Sequence, residues 1–151
     1  MTDLTFYGGV GEIGGNKILL SNKKTKLLLD FGQNFEKESS FFHYPYLQPR
    51  EEKHLLSLNI LPTIPGIYKC DTGQSHDISG ILVSHAHADH TNYIRYLKQE
   101  IAIHCSALTG DVMVARELSK PMYPNEYSIA KLTTKKKKFS TRSIHYQQTK
   151  L

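Results

Sequence analysis

Gly80-Ile81-Leu82-Val83-Ser84-His85-Ala86-His87-Ala88-Asp89-His90 decides how this chain is read. Its first five residues form a short apolar run of strand length. Its last six hold three of the protein's eight histidines and an aspartate. Thr91-Asn92 follows and can cap a helix running through Tyr93 to about Lys98. The cluster therefore falls where a buried strand ends and a helix begins, and its composition is that of a metal site.

In an extended segment, residues two apart project to the same side, so His85 and His87 can hold one ion together. Asp89 and His90, adjacent at the turn into the helix, point differently and can serve a second ion. Imidazoles with a carboxylate suit Zn2+, with Mn2+ or Fe also compatible, and neither cysteine is needed. Two such ions about 3.5–4 Å apart can share a hydroxide nucleophile, because coordination lowers the pKa of water towards roughly 7. The N-terminal end of the following helix favours an anionic substrate.

Upstream, Leu4-Thr5-Phe6-Tyr7 reads as an opening strand that runs into the glycine-rich segment Gly8-Gly9-Val10-Gly11-Glu12-Ile13-Gly14-Gly15-Asn16. Lys17-Ile18-Leu19-Leu20-Ser21 reads as a second strand, Asn22-Lys23-Lys24-Thr25-Lys26 as a polar turn, and Leu27-Leu28-Leu29-Asp30-Phe31 as a third strand. Gly9, Gly11 and Gly14 match the spacing of a dinucleotide-binding loop. That loop must open a helix, whereas here a β-like run and a lysine-rich turn follow. A protein-kinase reading of Asp30-Phe31-Gly32 fails on spacing, because only sixteen steps separate Gly14 from Asp30.

Residues 33–74 form a long irregular excursion with four of the six prolines and an aromatic cluster, Phe41, Phe42, Tyr44 and Tyr46. Residues 51–58 are its best helical candidate. Loops of this length are usually functional, so a packed surface excursion and a substrate-facing lid both fit. His43, His54 and His76 stand alone and read as non-ligands. Downstream, Ile101-Ala102-Ile103-His104-Cys105 alternates like a strand. Thr109-Gly110-Asp111 then opens a helix with Val112, Ala115 and Leu118 on one face. Strand, helix, strand, helix is the order of an α/β fold.

A chain of 151 residues is long enough for one domain with a core of its own. Cys70 and Cys105 lack metal or redox spacing and fit the thiols of a reduced compartment. Met1-Thr2-Asp3-Leu4-Thr5 lacks the character of a signal peptide, and no apolar run reaches transmembrane length, so a soluble cytoplasmic protein without a membrane partner is expected. The net charge of +5 suits an anionic partner. Much of it is local, however: Lys131 and Lys135-Lys136-Lys137-Lys138 belong to a basic, weakly patterned tail over 121–151. That tail reads as a solvated basic loop before it reads as a nucleic-acid patch.

On its histidine motif, on the segment from Gly8 to Asn16 and on Leu28-Leu29-Asp30-Phe31-Gly32, the chain resembles the N-terminal part of metallo-β-lactamase-fold hydrolases. It is most similar there to the RNase J-like, β-CASP-type ribonucleases, and the resemblance runs from about Leu4 to Lys120. The resemblance implies an α/β fold of the four-layer αββα sandwich type, of which residues 1–151 form the N-terminal half. It also implies a metal-dependent phosphodiesterase that uses a dinuclear zinc-bound hydroxide on RNA. By the same resemblance His85 and His87 belong to the first ion, Asp89 and His90 to the second, and Asp30 supports the site from outside the ligand ring.

Such hydrolases complete the site with a further histidine, a bridging aspartate and a late histidine. Glu100, Asp111, Glu117, Glu126 and His145 lie in unlike contexts. The chain is therefore expected to be a fragment without zinc-dependent nuclease activity of its own. Its half-sandwich should expose apolar surface and either associate, with itself or with the missing half, or stay poorly folded. A small-molecule hydrolase acting on a thioester and a catalytically silent metal-binding module are the competing functions.

Overall fold

In the computed structural model, residues 1–43, 45–49 and 51–119 are described. The basic tail over 121–151, with Glu126 and His145, lies outside them. The elements in chain order are β1 (Thr2–Gly8), β2 (Lys17–Asn22), β3 (Thr25–Leu29), α1 (Phe35–Ser39), α2 (Glu52–Ser57), β4 (Gly80–Leu82), α3 (Ala88–Thr91), β5 (Ile103–His104) and α4 (Ala107–Leu118), with a 3-10 turn at Ile94–Tyr96. The five strands form one sheet in the order β1-β2-β3-β4-β5, antiparallel through β3 and parallel from β3 to β5. This is a mixed α/β fold.

The β2–β3 hairpin is tighter than the polar run implies. Asn22 pairs with Thr25, and only Lys23 and Lys24 turn the chain, with Lys23 at φ +50°. Thr25 and Lys26 join the strand by pairing with Asn22 and Ser21, and Lys26 also forms an ion pair with Asp77 at 2.5 Å. At the other end, the β1–β2 register shifts between Phe6 and Gly8, where the glycine-rich segment leaves the sheet.

The two faces of the sheet have different environments. Leu19, Leu28, Ile81 and Ile103 point into the core, joined by Phe31, Leu55, Ile67, Tyr68, Tyr93 and Leu97. On the opposite face the register aligns Leu4 with Leu20 and Leu27, and Phe6 with Ile18, Leu29 and Leu82. Leu4 and Phe6 are 53% and 55% exposed, and the other five are half-buried. The sheet is therefore apolar on both faces, with the deepest burial on one of them.

The excursion is packed rather than loose, because Ile60, Leu61, Ile64, Ile67 and Tyr68 fold back into the core and the Tyr68 hydroxyl donates to the Pro62 carbonyl at 2.5 Å. Its aromatics divide, with Phe42 buried and Phe41 and Tyr46 exposed. Helix α2 falls inside 51–58 as expected. Helix α1, which apolar periodicity does not reveal, starts where Asn34 Oδ1 accepts the Lys37 amide at 2.9 Å.

Helix α4 departs from expectation in two ways. It begins at Ala107, where Ser106 Oγ accepts the Thr109 amide at 3.1 Å. Its Val112, Ala115 and Leu118 face is exposed. The inward stripe runs through Thr109, Met113 and Arg116, at the four- and three-residue steps of one helical side. Two of those three residues are polar, so apolar spacing does not mark the inner side. Among the described residues, no helix is long and apolar enough to cross a membrane.

Candidate metal centre

The histidine motif begins where the sheet ends. Val83 N donates to His104 O at 2.8 Å as the last ladder contact, and Ser84 N turns away to Asp30 Oδ1 at 2.7 Å. His87, in an extended conformation, caps α3, and its carbonyl accepts the amides of His90 and Thr91 at 3.0 Å each. The helix therefore starts inside the motif, and Thr91-Asn92 closes it rather than opening it. With only Ala88–Thr91 helical, α3 is one turn, too short for the macrodipole effect expected of a longer helix.

Asp30 organises the site. It lies just after β3 at φ +58°, in the left-handed region that Asp tolerates better than most residues. Its Oδ2 accepts Ser84 Oγ at 2.8 Å and contacts His90 Nδ1 at 2.7 Å. A carboxylate there favours the tautomer with the proton on Nδ1, in which Nε2 carries the lone pair. Around that Nε2 stand Asn16 Nδ2 at 3.2 Å and Asp89 Oδ2 at 3.3 Å. The His85 ring centroid is 4.0 Å from that of His90 and 4.6 Å from that of His87, with His85 Nδ1 3.0 Å from Ser84 Oγ.

The three imidazoles and two carboxylates thus occupy one neighbourhood, and the donor set suits zinc. Among the described residues, however, no three His, Cys, Asp or Glu side chains already converge as an ion cage. His43 and His54 are exposed on the excursion, and the His104 ring lies against Gly80. Glu100 and Asp111 are exposed. Both thiols are pushed up in pKa, chiefly by burial, and are accordingly poor nucleophiles and ligands.

Residues 30–33 are threaded between the glycine-rich segment and α3. Phe31 N donates to His90 O at 2.8 Å and Gln33 N to Ala88 O at 3.0 Å. From the other side, Gly15 N donates to Gln33 O at 2.7 Å and Gly32 N to Asn16 O at 3.0 Å. The glycines therefore serve backbone packing. Glu12 pins their loop, accepting the Gly9 amide and Asn34 Nδ2 at 2.8 Å each, with Lys37 at 3.4 Å. Burial opposes the Glu12 carboxylate, but the Gly9 amide, Asn34 and Lys37 outweigh it and lower its pKa.

Sequence reasoning passed over Asn16, Ser84 and Arg116. Asn16 ends the glycine-rich segment and Ser84 precedes the first histidine, so both carried a positional signal. Arg116, whose Nη1 donates to the Ala86 carbonyl, carried none.

No protein-family model matches the chain. Among curated proteins, it is 29% identical over 104 residues to Ribonuclease J of Helicobacter pylori, an alignment covering 65% of this chain and 12% of that protein. It is 26% identical over 118 residues to transcription termination factor FttA of Methanothermobacter thermautotrophicus, covering 76% of this chain and 15% of that one. The chain thus spans a small part of the length of both relatives. A crystal structure of a protein of unknown function from Enterococcus faecalis V583 superposes with a TM-score of 0.65 at 21% identity, covering 84% of this chain and 32% of that one. That likeness concerns the fold.

Proposed function

We propose that this chain carries the first metal-binding half of a metallo-β-lactamase-superfamily hydrolase that cleaves phosphodiester bonds in RNA. One relationship carries the reading: Asp30 Oδ2 holds His90 Nδ1 at 2.7 Å, directing the Nε2 lone pair to the neighbourhood of His85 and Asp89. Metal-ligating histidines characteristically give their other ring N–H to a carboxylate in this way. In this reading His85 and His87 would hold one ion and Asp89 and His90 a second, with zinc the best match and manganese or iron compatible. Bound there, the ions would supply Lewis-acid polarisation and water of lowered pKa. The chain's own part is orientation: Asp30 keeps the His90 tautomer, Ser84 ties Asp30 to His85, and Asn16 secures the Asp89 carbonyl at 3.2 Å.

The likeness to a ribonuclease supports RNA as substrate. The half-exposed face of Leu20, Leu27 and Leu29 supports a second sheet packed there, which would complete the four-layer αββα sandwich. A second reading, a metal-binding or interaction module without catalysis, is favoured by Glu100 and Asp111, which lie exposed and add no further ligand to the cluster.

Zinc titration of the full chain tests the centre. Binding should weaken at least about tenfold in His87→Ala and in His90→Ala, and a wild-type chain that binds no zinc refutes it. RNA retention with a steep salt dependence separates the nuclease from the silent module.

A further inference from the structure

Past Val83 the backbone carrying His85 and His87 has left the sheet; Asp30 holds it at the Ser84 amide, and beyond that the Ala86 carbonyl is held. Thr91 Oγ1 lies 3.4 Å from that oxygen and 2.9 Å from His87 O, so its stronger bond is to His87. Arg116, in the last turn of α4 and thirty residues downstream, donates Nη1 to the same Ala86 carbonyl. Ala86 is buried, whereas His85 is half-buried and His87 exposed. A guanidinium from a distant helix therefore grips the peptide that spaces the two imidazoles.

We infer that Arg116 is a positioning residue for the His85 and His87 pair, a role that rests on the metal-centre reading above. The chain bends at Ala86, and the 4.6 Å spacing of the His85 and His87 rings persists only while that peptide holds its orientation. A charge-assisted bond to the carbonyl resists rotation of that peptide more strongly than the long Thr91 contact can. Because Arg116 continues the Thr109 and Met113 stripe, the seating of α4 is passed to the site through one side chain. Geometry and charge make opposite demands here. A guanidinium near a cation site repels the cation, so a purely electrostatic role predicts tighter metal binding once the charge is removed. A positioning role predicts weaker binding.

The test uses the full chain as wild type, Arg116→Met and Arg116→Lys, with two readouts. In the metal-free proteins, the His90 and Thr91 amides, which bond to His87 O, should exchange at least about tenfold faster in Arg116→Met, while β2 and β3 amides keep their protection. In a Co2+ titration, Arg116→Met should bind about tenfold more weakly, and Arg116→Lys, which restores a charged donor, should recover most of the loss. Unchanged exchange in Arg116→Met, or tighter Co2+ binding, overturns the inference. If Arg116→Met loses protection throughout the sheet, Arg116→Gln takes its place under the same criteria. A wild-type chain that binds no Co2+ removes the metal reading instead, and the exchange comparison still decides whether Arg116 holds the segment.

Discussion

A β-carbon on Gly32 would stand 1.6 Å from the carbonyl oxygen of Asp89. The loop after β3 and the first turn of α3 therefore meet through bare backbone. Gly32→Ala must drive them apart, straining the Phe31–His90 and Gln33–Ala88 hydrogen bonds that flank the contact. The expected loss is on the order of 4 kcal/mol, among the large effects of single substitutions. Gly11→Ala is the control: φ is +67° there but nothing lies within 4 Å, so only the left-handed backbone penalty of about 1–2 kcal/mol applies. Equal shifts in urea midpoint for the two variants would refute the close approach.

Asp30 accepts from Ser84 N and Ser84 Oγ and holds His90 Nδ1. Asp30→Asn keeps the shape and tolerates the positive φ, but its amide nitrogen cannot accept from those donors. Zinc affinity should fall about 10–100-fold while the fold persists. Asp30→Ala should additionally cost on the order of 2–3 kcal/mol, because it strands the Ser84 amide and puts alanine at φ +58°. Calorimetric titration beside thermal melts separates the two effects, and wild-type zinc affinity in Asp30→Asn would break the proposed link.

Lys17 is 1% exposed, with its Nζ donating to Gly15 O at 3.1 Å between the rings of Phe31 and Tyr93. Burial lowers its pKa from 10.5 to about 8, against a partial offset from Glu12. The folded state therefore binds this proton less tightly than the unfolded chain. Its charging cost is constant below pH 8, and stability should rise as pH climbs through 8 towards 10.5. Tyr68 and Tyr93, both raised by burial, act in the opposite sense once unfolded tyrosines ionise near pH 10. Urea unfolding should show a gain on the order of 2 kcal/mol between about pH 8 and 10. That rise should vanish in Lys17→Met, and a slope unchanged by the substitution would count against the buried ammonium.

Leu4 and Phe6 lie on the open face of the sheet, while Leu28 is fully buried on the other. Leu4→Lys with Phe6→Glu should change stability by less than about 1 kcal/mol and reduce self-association in sedimentation experiments. Leu28→Ala should cost about 2–5 kcal/mol. Comparable losses from both changes would mean that the outer face is covered.

Much of the sheet was legible because strand signals are local. Lys17 to Ser21 and Leu27 to Leu29 announce a hairpin by apolar content and a lysine-rich turn, and Gly80 to Leu82 by its apolar run. Helix α1 escaped because its five residues are too few for periodicity to register, although Asn34 is an ordinary N-cap. Helix α4 was found but its inner stripe was not, since Thr109 and Arg116 do not read as apolar. The start of α3 was placed too late because Thr91-Asn92 has capping chemistry, whereas the cap is His87, chosen by its extended backbone.

The sequence by itself determined that three histidines and an aspartate fall within six residues, a local fact of composition and spacing. It also marked most of the strands, through turn chemistry and apolar content. Only the tertiary structure decided how those side chains are held. Asp30 reaches His90 across sixty residues, Asn16 reaches it across seventy-four, and Arg116 reaches back thirty to Ala86. Contacts of that separation depend on β3 and β4 lying side by side and on residues 30–33 threading past α3, which no local pattern encodes.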